Sequence, residues 1–343
     1  MQAKAAVVIL NYNGKKFLEL FLEKAIRCSA PHEVIIADNA STDDSVSYLE
    51  SNFPQIKIIR NDRNYGYANG YNAALKHVKA EYLVLLNNDV ELTENWLQPI
   101  LNLMESDKKI AACQPKLLDY NNRNLFEYAG AAGGFIDNLG YPFCKGRIFN
   151  SIESDLNQYN GNHEVFWASG ACMVVKADLF WKVNGFDGDY FAHMEEIDLC
   201  WRLKNIGYKI YASSESQVYH VGGGTLNKVN ARKTFLNFRN SLITLTKNHP
   251  SSFLFFVIYF RMVLDGVAGL KFLLQGQGSH FIAVIKAHFS YYGQLGLTLK
   301  KRRSMAFMPG FKRTLKCSYQ GNIVYLHFLK GIKRFSELKG NFK

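Results

Sequence analysis

Glu81-Tyr-Leu-Val-Leu-Leu-Asn-Asn-Asp-Val-Glu-Leu92 is the stretch on which the fold turns. Tyr82 to Leu86 are apolar or aromatic without a break, as in a strand buried on both faces. The chain then changes at once to Asn87-Asn88-Asp89. In a doubly wound sheet, ligands bind at the carboxyl ends of the strands. A carboxylate and two amides at such an end are hard oxygen donors for Mg²⁺ or Mn²⁺ and hydrogen-bonding partners for a ribose. An ordinary Asn/Asp turn would look the same in isolation, so the neighbours decide.

Upstream, Ala5 to Leu10 reads as a first strand, and Asn11-Tyr-Asn-Gly14 turns out of it. Lys15 to Arg27 has helical spacing, with Phe17, Leu18, Phe21, Leu22 and Ala25 on one face. Glu33 to Ala37 is a second strand ending at Asp38-Asn39, and Ser41-Thr-Asp-Asp44 reads as a capping box opening a helix. Ile56 to Arg60 is a third strand. Asn64-Tyr-Gly-Tyr-Ala-Asn-Gly70 is a glycine-rich turn leading into another helix. Strand and helix alternate at roughly 25-residue intervals, which predicts a parallel α/β sheet. Polar clusters at three strand ends, Asn11/Asn13, Asp38/Asn39 and Asn87/Asp89, would then meet on one rim. Asp38 suits the N–H of a uracil or thymine ring or a ribose hydroxyl; its plain structural role is to cap the loop ahead of Ser41.

Downstream, the pattern loosens from Ile110 to about Ser169, where glycines and aromatics suggest antiparallel additions. They could wall an acceptor pocket or form a plain structural insert. From Phe166 to Thr225 it tightens again. Glu195, Glu196 and Asp198 open a helix, where acids favour the macrodipole. Glu195 and Glu196 are adjacent and cannot share a face, so one can enter a cleft while the other pairs with the scaffold. His220 ends a strand just before Gly222-Gly-Gly224, a position open to a third metal ligand.

Composition frames this core. With 343 residues, 48% hydrophobic, the chain can build one large domain and a smaller appendage. Six cysteines without C-x-x-C spacing argue against a zinc knuckle or a disulfide framework, and fit a reducing, cytoplasmic setting. The start runs directly into a strand, so no signal peptide is expected. From Leu226 onward there are 20 Lys and Arg and only two acids, Asp265 and Glu337, which makes the tail +18. The whole chain is +12, so the first 225 residues carry −6. That asymmetry predicts two regions, 1–225 and 226–343. Phe253 to Leu274 is apolar but carries Arg261, Asp265 and Lys271, and so reads as an in-plane amphipathic or docked helix rather than a span. With Lys300-Lys-Arg-Arg303 beyond it, the tail suits an anionic membrane surface and a peripheral place on the inner face of the cell membrane. No nucleic-acid-binding motif accompanies the charge.

Five motifs in order resemble the family-2 glycosyltransferases of the GT-A type, in their rhamnosyltransferase-like branch. They are Val8-Ile-Leu-Asn-Tyr-Asn-Gly14, Asp38-Asn-Ala-Ser-Thr-Asp43, Asn64-Tyr-Gly-Tyr-Ala-Asn-Gly-Tyr-Asn72, Leu86-Asn-Asn-Asp-Val90, and the series Gly170, Gly185-Phe-Asp187 and Glu195-Glu-Ile-Asp-Leu-Cys-Trp-Arg202. The resemblance implies a GT-A fold, a mostly parallel sheet with helices on both faces, followed here by a helical basic extension. It implies a dTDP-, UDP- or GDP-linked sugar donor, Mg²⁺ or Mn²⁺, and inversion at the anomeric carbon. By the same likeness Asn11, Asn13, Asp38, Asn64, Gly66, Asn87 and Asn88 would line the donor, Asp89 and His220 would hold the metal, and Glu196, with Glu195 as competitor, would be the general base. Gly170, Asp198 and Arg202 would face a glycan or lipid-linked acceptor. Two residues depart from the family pattern. Asn87 replaces the first acid of D-x-D, and Glu196 replaces the Asp of the usual Glu-Asp pair. Other readings fit less well. Processive synthases carry a Gln-x-x-Arg-Trp motif, absent here, and nucleotidyltransferases a basic glycine-rich run where this chain has Asn11-Tyr-Asn-Gly14. An inactive scaffold would have no need of Asp89, Glu196 and His220 together.

Overall fold

A computed structural model describes residues 3–222, 230–340 and 342. The first half alternates as the apolar spacing predicts. It runs β1 (Ala3–Asn11), α1 (Lys15–Ser29), β2 (Glu33–Asp38), α2 (Ser45–Asn52), β3 (Lys57–Arg60), α3 (Gly66–Leu75) and β4 (Ala80–Asn87). Then come β5 (Val90–Leu92), α4 (Leu97–Ser106) and β6 (Ile110–Asp119). A separate four-stranded antiparallel sheet follows, made of β7 (Gly134–Ile136), β8 (Pro142–Cys144), β9 (Arg147–Ile148) and β10 (Ser151–Ile152). Next come β11 (Asn162–Val165), β12 (Cys172–Lys176), α5 (Ala177–Lys182), α6 (Glu195–Asn205) and β13 (Lys209–His220).

The main sheet has nine strands in the order β11-β13-β6-β12-β4-β1-β2-β3, with β5 paired to β13. The pairs among β1, β2, β3 and β4 are parallel, as is β6 with β13, whereas β12 runs antiparallel between β4 and β6. Alternate residues of β1 serve opposite layers. Ala6 and Val8 join Ala74 and Leu75 on one side, and Val7 and Ile9 join Leu18 and Leu22 on the other. Both faces are thus covered, which is why these strands read as unbroken apolar runs.

Two local expectations are corrected. The capping box at Ser41 to Asp44 does not form, and α2 begins later, at Ser45. Ser41 instead accepts hydrogen bonds from Asn11 Nδ2 at 3.1 Å and from the Asn13 amide at 3.0 Å. The pattern that loosened at Ile110 conceals β6, a ten-residue strand buried along nearly its whole length.

Four helices complete the chain, α7 (Ala231–Asn248), α8 (Leu254–Leu274), α9 (Gly278–Met305) and α10 (Ile323–Leu329). The expected boundary at 225/226 and the glycine-rich segment from Gly223 on lie outside the described residues. α7 is fastened to α6 by buried charge: Lys247 Nζ reaches Asp198 at 2.9 Å and Asp187 at 2.5 Å. In α8 the polarity is inverted. Arg261 and Asp265 are buried and paired at 3.0 Å, while Phe255, Phe256, Tyr259 and Phe260 are exposed. Tyr141 explains the inward turn. Its ring lies 3.6 Å from the Arg261 guanidinium and its hydroxyl donates to Asp265 at 3.2 Å. Among the described residues no helix is long and apolar enough to cross a membrane.

Candidate active site

The parallel register brings the strand ends together. Asn11 lies opposite Asp38, and Leu10 opposite Asn87. Asn11 is fully buried and ties three segments: its Nδ2 donates to Asp38 Oδ1 at 3.3 Å, and its Oδ1 accepts from Asn88 Nδ2 at 2.9 Å. Gly14 has no side chain because a Cβ there would strike the amides of Asn88 and Asn11. Asn13 adopts a positive φ of 51° and accepts from the Thr42 amide at 2.7 Å. Asp38 is 3% exposed and accepts from the Ser41 amide at 3.0 Å. Asn64 joins this rim through Asn39, whose Nδ2 donates to Asn64 Oδ1 and to the Gly66 carbonyl, both at 3.0 Å. Gly66 has φ 74°, and a Cβ on it would meet the carbonyl of Phe191 at 2.5 Å. Asn87 is half-buried, its amide bonded to the Ala171 carbonyl at 2.9 Å.

Asp89 and His220 meet because β5 pairs with β13, placing Val90 opposite His220. His220 Nε2 is 3.0 Å from Asp89 Oδ1, and Nδ1 is 3.2 Å from Glu127 Oε1, at an angle poor for a hydrogen bond. Burial alone would lower the imidazole pKa, but the Asp89 and Glu127 charges outweigh it and raise it well above 6.5. A carboxylate and an imidazole side by side on a strand-end rim form a donor pair that fits Mg²⁺ or Mn²⁺ once the ion displaces the ring's extra proton. Among the described residues no three His, Cys, Asp or Glu converge on one point. A divalent ion here would therefore draw its other ligands from phosphate and water, as Mg²⁺ commonly does.

Glu195 and Glu196 open α6 behind a strained loop. Phe191, His193 and Met194 all have positive φ, at 63°, 70° and 71°. Such strain persists only where surroundings over-determine it. Asn240, fully buried on α7, supplies the restraint: its Nδ2 lies 3.1, 2.9 and 2.8 Å from the carbonyls of Tyr190, Ala192 and His193. The Phe191 carbonyl accepts from the amides of Tyr67 and Ala68 on α3. The two acids differ. Glu195 is buried, and burial followed by the charge of Glu196 raises it well above 4.5. Glu196 is half-buried and raised by burial to about 7. An Oε2 of each is buried without a hydrogen-bond partner. The Gly170 carbonyl accepts from the Tyr67 hydroxyl at 2.6 Å. That hydroxyl is raised well above 10 by burial first, then by Tyr71, Glu195 and Glu196.

Asp198 and Arg202, expected against an acceptor, are both buried. Asp198 is fully buried, bonded to Arg202 Nε at 2.8 Å, Lys247 Nζ at 2.9 Å and Asn248 Nδ2 at 2.8 Å. Arg202 donates to the Val183 carbonyl. On a helix these two are i and i+4, on one stripe, and that stripe faces α7.

The sequence model of Glycosyl transferase family 2 matches residues 6–183, more than half of the chain. The chain is a family-2 glycosyltransferase. It is 24% identical over 237 residues to the N-acetylglucosaminyl-diphospho-decaprenol L-rhamnosyltransferase of Mycobacterium tuberculosis, covering 64% of this chain and 76% of the relative. It is 24% identical over 214 residues to rhamnosyltransferase WbbL of Escherichia coli, covering 60% and 78%. Its fold matches GalNAc-T7, solved with UDP, GalNAc and Mn²⁺, with a TM-score of 0.58 at 14% identity over 73% of this chain. That match spans about half of GalNAc-T7, 49%. The mannosyltransferase PcManGT of Pyrobaculum calidifontis, solved with GDP-Man and Mn²⁺, gives 0.52 at 14% identity over 90% of this chain and 84% of its own. The glycosyltransferase thus has the GT-A fold and belongs with the rhamnosyltransferase-like members. Two of its site residues carry no sequence signal. Glu127, in Phe126-Glu-Tyr128, and Asn240, beyond the last motif, are found only by where the fold puts them.

Proposed function

We propose that this glycosyltransferase moves one sugar, with inversion, from a nucleoside diphosphate donor to a hydroxyl of a glycan or lipid-linked glycan during cell-surface polysaccharide synthesis. The observation that carries the reading is the presence of two acid-bearing groups of unlike chemistry. These are Asp89 with His220, suited to a divalent ion, and Glu195 with Glu196, suited to a proton.

Asp38, Asn11 and Asn64 hold the nucleoside, and Asn87 and Asn88 border its diphosphate. Asp89 and His220 would hold Mg²⁺ or Mn²⁺, with the Glu127 carboxylate 3.2 Å from the far nitrogen of the ring. When bound, the ion neutralises charge on the departing diphosphate. Glu196 is the base. The acceptor oxygen bonds to the anomeric carbon as the bond from that carbon to the diphosphate oxygen breaks, and the acceptor proton passes to the Glu196 carboxylate. Glu195 keeps its proton beside it, because two buried carboxylates so close cannot both ionise. The sheet of β7 to β10 and Gly170 border the acceptor side.

L-Rhamnose is the first candidate sugar, from the likeness to the rhamnosyltransferases. The decaprenol diphosphate in the mycobacterial relative's name supports a lipid-linked acceptor, and the basic tail supports peripheral association with the inner membrane face. The experiment is a thermal-shift panel of dTDP, UDP and GDP donors with Mn²⁺, Mg²⁺ or EDTA, on wild type and Asp89→Ala. Ligands that bind the native state raise its apparent stability. A metal-dependent shift with one nucleotide, lost in Asp89→Ala, is expected; no shift with any nucleotide would end the proposal.

A further inference from the structure

We infer that the outward face of the α8–α9 hairpin is the surface by which the protein lies in an anionic bilayer, an inference that rests on the membrane reading above. The face is broad. Phe255, Phe256, Tyr259 and Phe260 of α8 are exposed, and so are Phe289 and Tyr292 of α9. The two helices present one surface, since the Tyr292 hydroxyl reaches Met262 Sδ across the hairpin at 3.4 Å. Soluble monomers rarely leave so large an apolar surface to water.

The interior of the hairpin shows that this exposure is built in. A helix in water turns its charges outward and its apolar stripe inward. Here Arg261 and Asp265 face in and pair with each other at 3.0 Å, with Arg261 Nη1 donating to the Leu139 carbonyl at 3.1 Å and His288 Nε2 3.6 Å from Asp265 Oδ2. The outward side is left to aromatic and aliphatic groups. Rings of this kind favour the headgroup boundary of a bilayer.

Charge identifies the occupant. Asp265 is the only acid in the sequence of α8 and α9, and it is buried. The exposed charges on the two helices, Lys271, Lys286, Lys300 and Arg303, are all cationic. Of the run Lys300 to Arg303, the middle pair turns inward: Lys301 reaches Asp187 at 2.5 Å, and Arg302 donates to backbone carbonyls of α7. A second copy of this chain would set cations against cations. An anionic lipid surface meets both the apolar face and its cationic border. At about 1.5 Å per residue, α8 is roughly 30 Å long and lies in the plane of the interface rather than through it.

The test is flotation of the full chain with vesicles of phosphatidylglycerol and phosphatidylethanolamine, and with phosphatidylcholine alone. It compares wild type with a Phe255→Ser/Phe256→Ser/Phe260→Ser variant. Wild type should float with the anionic vesicles and far less with the neutral ones. The variant should lose at least about tenfold of the bound fraction. Its thermal shift with the preferred nucleotide should be unchanged, showing that it folds. Equal flotation of variant and wild type would overturn the proposal, as would no flotation of either. So would light scattering that finds a wild-type dimer and a monomeric variant, which would assign the face to a second copy. Absence of any nucleotide shift in wild type would end the transferase reading while leaving the flotation result to stand on its own.

Discussion

The strand-end rim and the α8–α9 hairpin solve opposite problems with the same means. At the rim, polar and ionisable groups are buried at the edge of an apolar sheet, and each draws on a neighbour for its hydrogen bonds. In the hairpin, charges are also buried and paired, but the apolar groups they displace are sent outward. A buried charge at the rim is kept ready for a ligand. A buried charge in the hairpin is spent on its partner, freeing the outer face for an apolar contact. Burial of an ion pair therefore carries no functional meaning until one asks what the opposite face does.

That contrast can be broken experimentally, starting with the largest expected effect. Glu196→Gln should cut kcat by about 10³-fold or more while leaving the donor thermal shift intact, because only the proton acceptor is removed. Steady-state and single-turnover assays check it; retention of more than a tenth of the activity would return the base role to Glu195. Asp265→Ala should destabilise the fold by about 3 kcal/mol or more, because it strands the Arg261 charge in the interior. Urea unfolding at constant m-value checks this, and a loss under 1 kcal/mol would mean that the inward pairing is not what orients α8.

Asn240→Ala releases three carbonyls and relaxes the strained turn before Glu195. It should lower kcat by about 10- to 100-fold with little change in donor KM, since misplacement of a catalytic group costs rate more than binding. A rise in KM alone would contradict this. The pH profile gives a smaller, graded effect. Glu196 must be ionised to accept a proton and is raised to about 7, so kcat/KM should climb with pH through about 7 and level off above it. Stability takes the opposite sign. A carboxyl whose folded pKa lies above its unfolded value gives stability that is fully present below about 4.5 and lost as pH rises through about 7. Glu196→Gln should therefore gain Tm over wild type at pH 8 and not at pH 4.5. The smallest effect is expected for Phe289→Ser on the hairpin's outer face, whose stability should stay within about 0.5 kcal/mol of wild type because the ring is already in water.

The sequence made the parallel half readable because its strands are covered on both sides. Runs such as Tyr82 to Leu86 can scarcely be anything else, and the polar residues ending them had only one rim to occupy. The structure bonds Asn11 to both Asp38 and Asn88. Other features were hidden for physical reasons. β6 follows Ile110 with the small residues Ala111 and Ala112 and contains Gln114, Pro115 and Lys116, so its pattern does not signal a buried strand. Gln114 is nevertheless fully buried, its carbonyl oxygen accepting from the Ser169 amide at 2.9 Å. Asp198 and Arg202 looked like site residues because they follow Glu195 and Glu196, but one helix turn suffices to point a side chain at the scaffold instead. In α8 periodicity showed which residues share a face, yet which face is inward depended on Tyr141, more than a hundred residues away.

The three bonds of Asn240 also impose an order in time. The donor-side strands, with Asn11, Asp38 and Asp89, are complete long before residue 240 leaves the ribosome. Until α7 emerges and docks, the turn from Tyr190 to Met194 has the amides of Tyr67 and Ala68 but lacks the three bonds of Asn240, so Glu196 is less firmly placed. On the proposed roles, a nascent chain would have its donor-side residues in place before its base is fully positioned.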